Sequence, residues 1–165
     1  MNANYFISHL QLQPHPEGGY FKETYRSKEK IHAETLPERF EGERNFSTAI
    51  YYLLKQGEPS LYHRIKSDEC WHFYAGETLL IHVIEPKGKY YCVKLGSNIY
   101  VGETFQFVVP ALSWFAAEPA MESSFSLVGC TVAPGFDFAD FEMAVKTKLL
   151  NAFPQHGENI SRLSR

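Results

Sequence analysis

Between Phe46 and Val132 the chain turns back on itself at short, regular intervals, and this punctuation restricts its fold more than any other feature. Runs rich in aromatic and β-branched residues occupy 46–54, 60–65, 70–74, 78–84, 90–95, 104–109, 114–117 and 126–132, and a further run at 20–25 precedes them. Between them lie turn signals such as Gly57-Glu58-Pro59, Lys66-Ser67-Asp68, Gly76-Glu77, Pro86-Lys87-Gly88 and Gly96-Ser97-Asn98. Short runs of this composition read as strands, because branched and aromatic side chains suit a pleated, half-buried surface. Parallel neighbours need crossovers of about a dozen residues or more, and most of these links are shorter, so the strands are predicted to pair antiparallel. Thirteen Phe, ten Tyr and two Trp support the same reading, since a helical bundle is built mostly from Leu and Ala. The pattern predicts a mainly β domain, an antiparallel sandwich or barrel.

The flanks carry different signals. Tyr5, Phe6, His9, Leu10 and Leu12 have helical spacing within 2–12, and the Pro14-His15-Pro16-Glu17-Gly18-Gly19 segment ends any helix there. Residues 27–43 are polar, contain Pro37 and show no period, so a loop or a short helical turn is expected. After Pro134-Gly135, a stripe of Phe138, Phe141, Val145, Leu149 and Ala152 predicts a helix over 137–153, with Asp137 or Asp140 at its start. The polar tail 154–165 is expected to fray, leaving a core of about 5–153 within one domain of 165 residues.

Charge and cysteine usage exclude several function classes. Sixteen Lys and Arg against nineteen Asp and Glu leave a net charge of −3, which offers no excess of positive charge for nucleic acid or anionic lipid. No stretch approaches the roughly 20 apolar residues that span a bilayer. Cys70, Cys92 and Cys130 are far apart and odd in number, as suits reduced thiols in the cytoplasm. No phosphate-cradling G-x4-GK[ST] loop or G-x-S-x-G elbow is present.

The chemistry is concentrated in 57–76, where Gly57, His63, Glu69 and Gly76 are set in the spacing G-x5-H-x-H-x3-E-x6-G, with Ile65 at the second His position. This stretch resembles the first motif of the cupin superfamily. The second cupin motif is matched by Gly102 and Pro110-Ala111-Leu112-Ser113-Trp114-Phe115, in which Leu112 stands for the usual Gly and Phe115 for the usual His. The segments Pro14 to Tyr20, Thr48 to Tyr51, His63 to Ile65, Asp68 to His72 and Val132 to Phe136 are similar to those of one small cupin family of undefined activity, so that the likeness covers roughly 5–142. It implies a jelly-roll barrel with short N-terminal and C-terminal helices, and a homodimer. A full cupin site surrounds a metal with three imidazoles and one carboxylate, of which this chain keeps His63 and Glu69. A non-haem iron site needs two His and one carboxylate, so no metal or other cofactor is expected. Were a metal held, His63 and Glu69 would be ligands, with His15, His72 or His82 as substitutes.

Residues of a strand alternate faces, so His63 and Ile65 share one face of their strand and Glu69, Trp71 and Phe73 share one face of the next. If His63 points inward, Glu69 can do so too. A His and a Glu in an aromatic pocket can serve as general base and acid, or can be a buried pair that only satisfies itself. Around this candidate catalytic pair, Glu17, Tyr20, Arg26, Arg44, Tyr51, Trp71 and Trp114 are the candidate ligand-binding residues. The Pro14 to Tyr20 segment is either a turn made possible by Gly18-Gly19 or a flap that carries Glu17 and Tyr20, with Glu23 or Arg26 beyond, to the barrel mouth. Three functions remain open for a small-molecule pocket of this kind. By analogy with metal-free cupins, one is an isomerase or epimerase acting beside a carbonyl on a sugar-like substrate. The second is a binding or sensing protein without turnover. The third is a metal-dependent cupin enzyme with substitute ligands.

Overall fold

Two antiparallel sheets pack face to face in the computed structural model, which describes residues 1–121 and 123–165. The larger sheet has the order β1 (Gln13–Pro14), β2 (Tyr20–Arg26), β5 (Thr48–Lys55), β12 (Phe125–Ala133), β7 (Asp68–Gly76) and β10 (Gln106–Val109). The smaller runs β13 (Glu142–Met143), β6 (Ser60–Arg64), β11 (Trp114–Pro119), β8 (Leu79–Ile84) and β9 (Tyr90–Leu95). A two-stranded ribbon of β3 (Lys30–Ile31) and β4 (Arg44–Asn45), with a 3-10 turn at Ala33–Thr35, occupies the polar stretch that had no period.

Alternation along the strands builds the core. Tyr52, Trp71, Val128 and Cys130 of the larger sheet meet Ile81, Val83, Phe115 and Ala117 of the smaller one in a single buried cluster. Each large apolar side chain taken from water there contributes about 1.5–3 kcal/mol. The opposite faces are also used. Leu53, Phe125 and Leu127 receive Phe6, Ile7 and Leu10 of α1 (Ala3–Leu10). Asn2 caps that helix by accepting the Tyr5 N–H at 2.9 Å, and Gln11 ends it in the left-handed region, at φ 57°.

The C-terminal segment departs from its sequence pattern. Helix forms only over α2 (Lys146–Ala152); residues Phe138–Asp140 make a 3-10 turn, and β13 pairs with β6. Asp137 does cap a turn, accepting the Ala139 N–H at 2.8 Å, but Asp140 is buried against Arg44 and the chain cannot continue as α-helix. The stripe was a coincidence of spacing, since Phe138 and Phe141 turn to the interior cavity described below. Nor does the tail fray. It forms α3 (Gly157–Arg162), and Ile160 and Leu163 are fully buried with Leu149, Tyr62, Ile84 and Ala116 on the outer face of the smaller sheet. Among the described residues, no helix is long and apolar enough to cross a membrane.

Candidate functional site

Cross-strand register arranges the inner face of the larger sheet in rows. Arg26, Thr48, Val132 and Glu69 are successive partners in one row; Glu23, Ile50, Cys130 and Trp71 form the next; Phe21, Tyr52, Val128 and Phe73 form the third. A bulge between Glu23 and Tyr25 brings Arg26 inward, because one extra residue restores the facing that simple alternation would have lost. A cavity of about 250 Å³ lies over the first two rows as far as Cys130 and reaches Phe21 in the third. His63 and Ile65 close it from the smaller sheet, His15 and Glu17 from the β1–β2 turn, and Phe136, Phe138 and Phe141 from the segment after β12.

Two anchors hold those last two walls. Gly18 and Gly19 adopt positive φ, and a Cβ on Gly18 would lie 2.2 Å from the Pro59 carbonyl oxygen, so only glycine lets this turn press onto the start of β6. Tyr52 then donates to the Gly18 carbonyl at 2.7 Å and the Leu61 N–H to that of Glu17 at 3.0 Å, which drives the Glu17 side chain inward. On the other side, the buried guanidinium of Arg44 grips both oxygens of Asp140 at 2.6 Å and fixes the turn that carries Phe138 and Phe141.

The Glu17 carboxylate lands on His63. His63 Nε2 is 3.0 Å from Glu17 Oε2, and Glu17 Oε1 accepts from the Ser60 hydroxyl at 2.9 Å. His63 Nδ1 is 2.7 Å from the Leu61 carbonyl oxygen, which can only accept. The proton on that nitrogen is therefore fixed, and Nε2 and Oε2 hold one further proton between them; without it a lone pair would face a carboxylate. His15 approaches the same carboxylate at 3.6 Å, but its Nδ1 accepts the Glu17 N–H at 3.3 Å. Burial, which outweighs the pull of Glu17, lowers the His15 pKa, so this imidazole is neutral and the approach is a packing contact rather than an ion pair.

Glu69 faces the cavity from the larger sheet. Its burial and, secondarily, the nearby Glu17 charge push its pKa up to about 8, against a smaller opposing effect of the Cys130 thiol. Cys130 is itself raised well above the usual thiol range by burial and by Glu69. The cavity thus sets a carboxyl that burial keeps protonated at neutral pH opposite a hydrogen-bonded histidine–carboxylate pair.

Of the residues expected at the pocket, His63, Glu69, Glu17 and Arg26 line this cavity, and five others do not. Trp71 is on the inward face but one strand beyond Cys130 in the second row, and its indole fills the core between Tyr52 and Phe115. Tyr20 and Tyr51 lie on the opposite face, packed towards α1, because Phe21 and Tyr52 take the inward positions. Trp114 faces outward beside Phe115 and packs under the Arg64 guanidinium, 4.5 Å from the ring centroid. Arg44 is structural. Absent from the candidate list were His15, Phe21, Ile50, Cys130 and the Phe136–Phe141 aromatics; inward alternation alone pointed to Phe21, Ile50 and Cys130, whereas the others depend on how loops fold back.

Residues 4–144 match the family Cupin_5, described as a cupin superfamily family (DUF985). The chain belongs to Cupin_5. It is 33% identical over 153 residues to an uncharacterized Saccharomyces cerevisiae protein, YML079W, covering 81% of this chain and 71% of that one. A hypothetical protein from Leishmania major aligns with TM-score 0.90 at 36% identity over 99% of both chains. The Shewanella oneidensis protein SO0799 does so with TM-score 0.90 at 39% identity, over 100% of this chain and 98% of that one. Oxalate decarboxylase from Bacillus subtilis, at 16% identity and TM-score 0.54 over 91% of this chain and 36% of its own, shares the fold alone.

The donor set of this Cupin_5 chain does not fit the metal that cupins commonly hold. Ile65 lines the cavity with alkyl carbon, and Phe115 packs at a tilt against His63 with ring centroids 4.1 Å apart. The remaining imidazole has both nitrogens committed, and the remaining carboxyl is protonated near neutrality. Of the three substitutes, His15 does line the cavity, with its Nδ1 accepting the Glu17 N–H at 3.3 Å, and the other two lie elsewhere. His72 lies on the outer face, bonded to Thr131 and Gln106, while His82 is bonded to Glu118 and Tyr90 away from the cavity. Among the described residues, no three His, Cys, Asp or Glu are grouped to hold a metal ion.

Proposed function

We propose that this cupin is a proton-transfer enzyme of the isomerase or epimerase kind, acting at a carbon next to a carbonyl of a small sugar-like substrate. The observation that carries the reading is the 3.0 Å contact of His63 Nε2 with Glu17 Oε2 on one side of a cavity whose other side presents Glu69, a carboxyl whose pKa burial pushes up to about 8. Enolisation needs a base to take the proton on carbon and an acid to donate to the carbonyl oxygen as charge develops there. A carboxyl kept protonated by burial, Glu69, opposite a carboxylate partnered by His63, Glu17, supplies such a division of labour. Glu69 donates its proton to the carbonyl oxygen. The Glu17 carboxylate, keeping its hydrogen bond to His63, accepts the proton on carbon and returns it to the enol as Glu69 takes its own proton back, with Leu61 and Ser60 holding His63 and Glu17 in place. The ring faces of Phe21, Phe136 and Phe141 exclude water around the reacting centre.

The test is proton exchange with solvent. Uncharged aldoses and ketoses incubated with the protein in D2O and followed by NMR should lose their signal at the carbon beside the carbonyl. His63→Ala and Glu69→Gln should each slow this by about 100- to 10,000-fold. Saturable binding with no exchange for any bound compound would show a binding or sensing protein instead.

A further inference from the structure

The charges around the cavity go further than the reaction class. Arg26 is the only Lys or Arg lining it among the described residues. Its guanidinium is spent: Nε and Nη2 chelate the two Glu23 oxygens at 3.0 and 2.7 Å, while Nη1 donates to Asn45 Oδ1 at 2.8 Å and to the Phe136 carbonyl at 3.1 Å. Four of the five N–H donors of such a fork are thereby committed. Facing the remaining space are Glu17, Glu69 and Asp137, and His15 is neutral. A carboxylate or phosphate entering here would lose water and find no free Lys or Arg. The acidic groups do not make a cation site either: Glu17 is bonded to His63 and Ser60, Asp137 caps Ala139, and among the described residues no three ligating side chains are grouped. A cavity of about 250 Å³ has room for a sugar-sized molecule.

We propose that the cavity selects an uncharged, hydroxyl-bearing small molecule and rejects its anionic counterparts, and that Glu23 sets this preference by neutralising Arg26. The proposal rests on the cavity being the ligand site, and it stands or falls independently of proton transfer. Glu23 is exposed over about 41% of its side chain, so its replacement by Gln perturbs charge rather than packing. That change removes the negative charge and one of the two acceptors facing Nε and Nη2 of Arg26, leaving an uncompensated guanidinium with a donor free for a carboxylate.

The experiment uses three probes of one shape, benzamide, benzoate and benzylamine, titrated at pH 7 with the Ile50 and Val132 methyl signals as cavity reporters. Benzamide should bind at least tenfold more tightly than either charged probe. Glu23→Gln should raise the affinity for benzoate relative to benzamide by tenfold or more, and the double variant Glu23→Gln, Arg26→Gln should cancel that gain. Benzoate or benzylamine equalling benzamide on the unaltered protein, or no saturable response of either methyl to any probe at millimolar concentration, would overturn the proposal. So would a Glu23→Gln variant with unchanged ratios. Exchange in D2O is scored separately, so loss of charge selectivity with exchange intact would leave the proton-transfer reading standing.

Discussion

Replacing Glu69 with Gln should make the protein more stable in alkaline buffer than in acid, relative to the unaltered chain, by an amount that the buried carboxyl fixes. In the native state Glu69 ionises only near pH 8, whereas its ordinary value is 4.5. Between these values the folded chain holds a proton that the unfolded chain has released, so its stability falls as pH rises. The stability contributed by the protonated group is complete below about pH 4.5 and is lost as pH rises through about 8. At about 1.36 kcal/mol per unit, the 3.5 units between them correspond to at most about 5 kcal/mol, of which about 3.5 kcal/mol falls between pH 5 and pH 8. Glu69 is only 8% exposed, so little of this is screened by solvent. Gln keeps the shape and cannot ionise. Urea unfolding followed by tryptophan fluorescence at pH 5, 6, 7 and 8, at constant ionic strength, should show the variant gaining about 3 to 4 kcal/mol on the parent across the series. His15 pulls the other way: held below its usual pKa by burial, it costs stability as pH falls through 6.5. That slope is common to both proteins and cancels in the difference. A difference constant to within about 1 kcal/mol would mean that Glu69 is already ionised in the folded protein at neutral pH, and the acid role assigned to it would fail with it.

Two further outcomes test the fold around the site. Leu112 sits at φ 66° where the second cupin motif usually has Gly, a conformation costing a non-glycine residue about 1–2 kcal/mol, and it is 39% exposed. Leu112→Gly should therefore raise unfolding stability by about 0.5–1 kcal/mol after the greater chain entropy of Gly is subtracted, and a loss of stability in urea titration would contradict the strain. Ile160→Ala should cost about 2–5 kcal/mol and lower the melting temperature, since Ile160 is the wholly buried side chain by which α3 packs on the smaller sheet; an unchanged melt would return the tail to a frayed state.

The main strands, their antiparallel pairing and the faces that His63 shares with Ile65 and Glu69 with Trp71 were legible in the sequence, because alternation is local: a strand residue two positions from an inward one also faces inward. The spacing of the first cupin motif added the family, and the substitutions at Ile65 and Phe115 were visible as missing donors. What could not be read was everything that depends on which loop covers which face. Alternation says that Trp71 shares a face with Glu69 but not that its row leaves the cavity at Cys130, one strand before it, which is a matter of how β7 and β12 sit in the sheet. The helical spacing of Phe138, Phe141 and Val145 is genuine, yet the buried Arg44–Asp140 pair, 96 residues apart, outweighs it and turns two of those rings to the cavity instead. The polar composition of 154–165 concealed two apolar side chains, Ile160 and Leu163, that find partners only on the outer face of the smaller sheet. The partner of His63 shows the division most clearly. The sequence put His63 and Ile65 on one face without saying that it faces inward, and the carboxylate that meets His63 comes from Glu17, 46 residues earlier, across a turn that glycine alone allows. Local chemistry decides which groups share a face; only the closed chain decides which of them meet, because contacts between distant segments are set by packing that no short window of sequence contains.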